Sequence, residues 1–458
     1  MMMLSTAAKA TNGQLIGADA MFNAVSTDSR NINADNLFIA LKGDSFDGHD
    51  YAAQCLQQGA AGILVSKKIE TEKPQIVVQD TRLALGKLAQ YWREQFDIPL
   101  AAITGSNGKT TVKEMLASIL RHVAGDQHVL ATEGNLNNDI GLPLTLLKLQ
   151  SHHRFAVAEM GMSNPGEIDY LTHLAHPSVA VVNNAHPAHL LGMGNVEAIA
   201  REKGSIFNGL GPTGIAVFNA DDTFAPLWKS LAGSNKTLTF GLKHAADISA
   251  DYQLKADCSQ LTIKTASGSI SVSIGVPGTH NISNALAATA AALAMGISLP
   301  DVAAGLAAFA GVKGRLQLKQ GKAGAMVIDD SYNANPASMR AAISVLAEAS
   351  GQKILVVGDM GELGDDAKRL HEEIGTFAKQ SGIDQLFALG EASQHIALAF
   401  GDKARHFDTP AALVEGLAPY LESNTTILVK GSRFMKMERV TEAILMNTNA
   451  CPQAERVH

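Results

Sequence analysis

Apolar residues along this chain fall into short unbroken runs set off by Gly, Asn and Pro, and the runs alternate with stretches of helical period. Near the start, Leu37-Phe38-Ile39-Ala40-Leu41 and Gly62-Ile63-Leu64-Val65 predict short strands among turns. From Pro99 onward, the runs Leu100–Thr104, Phe155–Ala158, Val179–Val182 and Ile215–Phe218 predict buried parallel strands, because a strand covered on both faces reads as a continuous apolar run. Between the first two, Val112, Met115, Leu116, Ile119, Leu120 and Val123 recur at helical spacing on one face. After Gly311 and Gly314 the alternation starts afresh, with Ala325–Ile328, Ile354–Val357, Leu386–Leu389 and Ile427–Val429 as strands. One helix there opens with Asn335 as N-cap, Pro336 at N1, and Met339, Ala342, Ile343 and Leu346 on one face. Two successive strand–helix series after a mixed beginning predict an α/β protein of three domains, over residues 1–83, 84–313 and 314–458.

Composition narrows the class. A chain of 458 residues exceeds one ordinary core, and 46% hydrophobic with 18% charged residues is globular composition. The net charge of −7 offers no electrostatic case for a nucleic-acid or anionic-membrane partner, so a phosphate-bearing ligand needs a local site. Cys55, Cys258 and Cys451 are widely spaced, which predicts a reducing compartment and neither disulfides nor a zinc site. Met1 to Ala10 lacks the pattern of a signal peptide, and Gly296, Pro300 and Asp301 interrupt the Ala-rich run from Ala285 to Ala310, so no membrane insertion is expected.

The sharpest chemical signal is Ile103-Thr104-Gly105-Ser106-Asn107-Gly108-Lys109-Thr110-Thr111, placed between a predicted strand and the amphipathic helix. Gly105 and Gly108 allow close backbone wrapping, so that successive N–H groups and the helix N-terminus face an anion. Lys109 would reach the β- and γ-phosphates of a nucleoside triphosphate, and the Thr110 hydroxyl would coordinate Mg²⁺. Ile103 stands where the strict P-loop spacing requires glycine, so this is a shortened variant. Glu159 ends the next strand, on the side where open α/β sheets collect ligands, and could share a cation with Thr110 or be a plain strand-end carboxylate. His186, His189 and Lys203 carry no assignment from pattern alone.

Together these motifs resemble the Mur ligase family, the cytoplasmic amide-forming enzymes of peptidoglycan synthesis. The likeness spans nearly the whole chain, through TGSNGKTT (104–111), TEGNLNNDIGLP (132–143), AEMG (158–161), AHL (188–190), PGTHNISN (277–284), Gly314-Arg315 and DDSYNANP (329–336). STDSR (26–30), FIALKG (38–43) and GDMGELG (358–364) point to the branch that adds D-alanyl-D-alanine to UDP-N-acetylmuramoyl-tripeptide, and the Asp-Asn-Pro-Arg motif expected of the diaminopimelate-adding branch does not occur. The resemblance implies an ATP-dependent ligase working through an acyl phosphate, with roles in cell wall biogenesis, cell shape and cell division. It implies a small mixed N-terminal domain for the UDP-sugar, a central P-loop-type parallel-sheet domain for ATP, and a C-terminal Rossmann-like domain for the dipeptide.

Residue by residue, it implies nucleotide contacts from Gly105, Ser106, Asn107, Gly108, Lys109, Thr110, Thr111, Asn281, Asn284 and Arg315. Two Mg²⁺ ions, with Mn²⁺ as substitute, would contact Thr110, Glu159, His189 and Lys203, with Lys203 carbamylated and His186 the competing register for His189. Lys109, His189, Lys203 and Arg315 would be catalytic. Ser29 and Arg30 would hold the uridine diphosphate end, and Asn135, Asn137 and Asn138 would line the path to the reacting carboxyl. Asp330, Tyr332, Asn333, Asn335 and Ser338 would recognise the dipeptide, although Asn335-Pro336 also serves as ordinary helix punctuation, as His280-Asn281 does at the Ala-rich helix. A cytoplasmic monomer is expected. The rival readings are a ligase with the same ATP machinery, such as folylpolyglutamate synthase, and a P-loop switch protein.

Overall fold

The computed structural model describes residues 1–187, 190–255 and 257–446. Every strand anticipated from the apolar runs is present within a residue or two of its expected bounds. The first sheet runs in the order Gln14–Ile16, Gln75–Val77, Gly62–Val65, Asn36–Ile39, Ala24–Ser26, parallel except for Gln14–Ile16. The helix Thr81–Arg93 then leads out of it. Asp80 caps this helix by accepting from the Arg82 and Leu83 amides, and Arg93 at its far end donates to the carbonyls of Ala175 and Ile98. Its Leu85, Leu88 and Ala89 share one core with Leu4 and Ile76 on one side and Leu171 and Leu174 on the other. The expected 83/84 division therefore falls inside a helix that packs on both neighbours.

The central sheet is all parallel, ordered Lys236–Phe240, Ile215–Asn219, Val179–Val182, Leu100–Thr104, Phe155–Glu159, Val129–Ala131. The helix Lys109–Ala124 covers one face, with Val112, Met115, Leu116, Ile119 and Leu120 fully buried. Each such side chain is worth roughly 1.5–3 kcal/mol of burial. The Ala-rich run forms the helices Thr279–Ala294 and Leu299–Ala307, the second capped by Ser298. Small residues let these helices approach closely: a Cβ at Gly305 would lie 2.3 Å from the Ile119 Cα. An antiparallel sheet of Ser249–Leu254, Ser259–Thr265 and Gly268–Ile274, absent from the sequence reading, buries Leu261, Ile263, Val272 and Ile274 in the same core. Among the described residues no helix is long and apolar enough to cross a membrane.

The last sheet runs Gln317–Gln320, Met326–Asp330, Thr425–Lys430, Gln352–Gly358, Gln385–Leu389, Ala404–Phe407, parallel except for Gln317–Gln320. Apolar clusters cover both faces, so the fold is α/β with helices on either side of a parallel sheet.

Candidate active site

The phosphate loop follows Leu100–Thr104, which lies between Val179–Val182 and Phe155–Glu159, so the loop is flanked by the ends of both neighbouring strands. Gly108 is left-handed at φ +78°, and a Cβ there would lie 2.3 Å from Asn284 Oδ1 and 2.6 Å from Asn183 Nδ2. Only glycine fits that position. Ser106 Oγ donates to the His186 carbonyl (3.0 Å) and accepts from the His186 amide (2.9 Å). The Asn107 amide donates to Asn184 Oδ1 (2.8 Å), and the Asn107 carbonyl accepts from Asn183 Nδ2 (2.9 Å) and Asn184 Nδ2 (3.1 Å). Asn183 Nδ2 also donates to Asn284 Oδ1 (2.9 Å), and Asn284 Nδ2 donates to Asn281 Oδ1 (3.3 Å). Asn281 and Asn284 thus brace the loop from behind. Thr111 is buried in the first turn of the helix.

Lys109 folds over the loop and donates to the carbonyls of Gly105 (2.7 Å) and Ser106 (3.4 Å). Burial lowers its pKa, with Arg315 acting in the same direction and Glu159 opposing. Glu159 is buried; its Oε1 accepts from Asn137 Nδ2 (2.8 Å) and its amide donates to Thr132 Oγ1 (3.0 Å). Its Oε2 is also buried and has no hydrogen-bond partner among the described residues. An unpaired buried carboxylate oxygen is costly, and a cation is what relieves it. That orphan oxygen, together with the Gly108 cradle, fits Mg²⁺ and a triphosphate. Among the described residues no three His, Cys, Asp or Glu side chains converge.

Lys203, on the helix Val196–Gly204, is 1% exposed and has no hydrogen-bond partner among the described residues. Burial holds its pKa well below the usual lysine range, the nearby Lys109 adds to this, and Glu202 opposes it. His189 lies outside the described residues. His186 is half-buried, its imidazole pKa lowered by burial against the pull of Asp222.

The third domain reaches into the same place. Arg315 Nη2 donates to Thr110 Oγ1 (3.1 Å), with its guanidinium 4.4 Å from the Tyr332 ring centroid. Asn335 Nδ2 donates to Asn107 Oδ1 (2.7 Å) while Asn335 and Ser338 form a capping box on Pro336–Ala347. The helix-punctuation and site readings of Asn335 hold together. Asp330 is buried, which raises its carboxyl, while Lys430 and Arg315 pull it down. Lys430 Nζ donates to Asp330 Oδ2 (2.7 Å) and the Asn333 carbonyl (2.8 Å). Burial, with the Lys430 cation adding, pushes the His280 imidazole down to about 4.

Other candidates are not drawn to the loop. Arg30 is spent on Asp28, through Nε (2.9 Å) and Nη2 (2.8 Å), which holds that carboxyl at about 2. Ser29 shares its short 3₁₀ turn. Asn138 Oδ1 accepts from the Gly141 amide (2.9 Å) as a helix cap, and Asn135 is exposed. The sequence reading left out Asn183, Asn184, Thr132 and Lys430. The strand-end argument applied to Glu159 would have found the two asparagines, since they follow Val179–Val182 directly.

Comparison with known proteins gives the same grouping. Residues 22–93 match the family described as "Mur ligase family, catalytic domain", 103–292 the "Mur ligase middle domain", and 314–433 the "Mur ligase, glutamate ligase domain". The chain is 44% identical over 440 residues to UDP-N-acetylmuramoyl-tripeptide–D-alanyl-D-alanine ligase of Escherichia coli (strain K12), covering 95% of this chain and 96% of that one. It superposes on the crystal structure of MurF from Acinetobacter baumannii with a TM-score of 0.90 and 38% identity, covering 96% and 97% of the two chains. For MurF ligase from Thermotoga maritima in complex with ADP the TM-score is 0.84 at 30% identity, covering 92% and 96%. With the loop, the orphan carboxylate oxygen and the arginine reaching in from the last domain all falling within the matched segments, this chain belongs to the Mur ligase family.

Proposed function

We propose that this chain joins D-alanyl-D-alanine to UDP-N-acetylmuramoyl-tripeptide at the expense of ATP, a step of peptidoglycan precursor synthesis in the cytoplasm. The observation that carries the reading is the meeting of Lys109, Thr110, Glu159 and Arg315, drawn from the loop, a neighbouring strand end and the following domain. A carboxylate and an amine do not condense in water at neutral pH, so the acid must first become an acyl phosphate. Catalysis is then chiefly positioning and charge neutralisation around the transferring phosphoryl group.

The loop amides and Lys109 bind and neutralise the phosphates, and Arg315 adds a bidentate cation from the third domain. Thr110 and Glu159 hold Mg²⁺, which when bound supplies positive charge against the phosphate oxygens. Lys203 suits carbamylation because burial favours its neutral amine, the form that captures CO₂, and the product is the oxygen donor that a second Mg²⁺ prefers. His189 would complete this set, and Mn²⁺ would substitute. Asn137 orients Glu159 and borders the path of the acceptor carboxyl. Ser29 and Arg30 belong to the UDP end, with residues 1–83 as its domain. The span 84–313 serves ATP, and 314–458 serves the dipeptide through Asp330, Tyr332, Asn333, Asn335 and Ser338. We take the working unit to be a monomer.

The test is phosphate release with ATP, Mg²⁺, UDP-N-acetylmuramoyl-tripeptide and D-alanyl-D-alanine, each omitted in turn, with ¹⁸O in the acceptor carboxyl. Dependence on every component and transfer of label into phosphate are expected. Full turnover without the dipeptide would overturn the assignment.

A further inference from the structure

Three loops meet at the carboxyl ends of the adjacent strands Met326–Asp330, Thr425–Lys430 and Gln352–Gly358. Ser432 ties them: its Oγ donates to the Ala334 carbonyl (3.2 Å), accepts from the Gly361 amide (2.8 Å), and its amide donates to the Asp359 carbonyl (3.0 Å). The next residue, Arg433, lies 5.8 Å from the Tyr332 ring centroid, so two guanidiniums attend one ring, with Arg315 at 4.4 Å. The two are differently committed. Arg315 is turned to Thr110 on the phosphate side. Arg433 is 59% exposed and donates through Nη1 alone, to Glu438 (2.9 Å), leaving its other N–H groups without a partner among the described residues. Lys319, on the antiparallel edge strand, and Lys430 are each bound to a buried aspartate.

The incoming dipeptide carries a carboxylate at the end away from its reacting amine, and Asp330, Tyr332, Asn333, Asn335 and Ser338 include no cation to receive it. We infer that Arg433 binds the terminal carboxylate of the incoming dipeptide, oriented by Glu438 and Tyr332; this rests on the dipeptide reading above. Ring distances laid end to end put the two guanidiniums no more than about 10 Å apart, and an extended dipeptide covers about 7 Å. A dipeptide anchored at Arg433 is therefore long enough for its amine to extend toward Arg315 on the phosphate side. Arg433 is a specificity-determining residue whose free fork matches a carboxylate bidentately.

The test compares D-alanyl-D-alanine with D-alanyl-D-alaninamide, which lacks the carboxylate, in wild type, R433A and R433K. Wild type should prefer the acid strongly. R433A should raise KM for the acid about 10- to 100-fold, the usual loss for a hydrogen bond to a charged group, with KM for ATP and for the UDP-tripeptide unchanged. It should use acid and amide almost equally, and R433K should fall between. If R433A keeps the wild-type preference for the acid, or loses both dipeptides and ATP binding alike, the inference is wrong. Absence of any dipeptide-dependent turnover in wild type would instead remove the functional reading beneath it.

Discussion

A lysine sealed inside a protein must give up its proton to fold at neutral pH, which disfavours the folded state, and Lys203 is such a residue. Its folded pKa is depressed, so between that value and its unfolded value near 10.4 the unfolded chain binds the proton that the folded chain releases. Stability from this group is therefore missing at low pH and returns as pH rises through the window. Lys203→Met should raise the melting temperature at pH 7 while lowering turnover by about 10- to 100-fold, the scale on which metal-site support is lost. Scanning calorimetry beside phosphate release checks both; a destabilised variant would show that the ammonium is paired. Lys430 argues the other way, because its charge is matched. Lys430→Met would strand the buried Asp330 carboxylate and should cost about 3–5 kcal/mol in urea unfolding, whereas Asp330→Asn with Lys430→Met should recover much of it.

At the scale of elements, the phosphate loop is where local sequence and tertiary setting agree most closely. Gly108 needs a left-handed backbone and has no room for a methyl group beside Asn284 and Asn183. Gly108→Ala should weaken ATP binding at least tenfold and cost about 1–3 kcal/mol of stability, read by nucleotide titration and denaturant melts. The strand, turn and helix here were legible because each leaves a local mark: an unbroken apolar run, two glycines, and one apolar face. The antiparallel strands from Ser249 to Ile274 left none strong enough, since their Ser- and Thr-rich outward positions dilute the alternation of Leu261, Ile263, Val272 and Ile274. Lys430 was illegible for a different reason. It acts through a partner 100 residues away, and no local pattern records which buried side chain it will meet. Glu159 could be read because the strand end fixes its place without a partner.

For the whole molecule, what matters is how the third domain is held against the second, and among the described residues two side-chain hydrogen bonds join the third domain to the phosphate loop. Arg315 binds Thr110, and Asn335 binds Asn107, both on the phosphate loop. Asn335 performs two tasks that mutation can separate. Its Oδ1 accepts from the Ser338 amide as an N-cap, and its Nδ2 crosses to the other domain. Serine is an equally good cap but lacks the second amide nitrogen. Asn335→Ser should therefore keep stability within about 0.5 kcal/mol, the ordinary range for a change that preserves its local role, yet loosen the domain contact. Small-angle scattering should register a larger radius of gyration, and turnover should fall roughly tenfold because closure aligns the reacting groups. Asn335→Ala removes the cap as well and should lose about 1 kcal/mol in addition. If the serine variant scatters and turns over like wild type, the Asn335–Asn107 bond does not hold the domains.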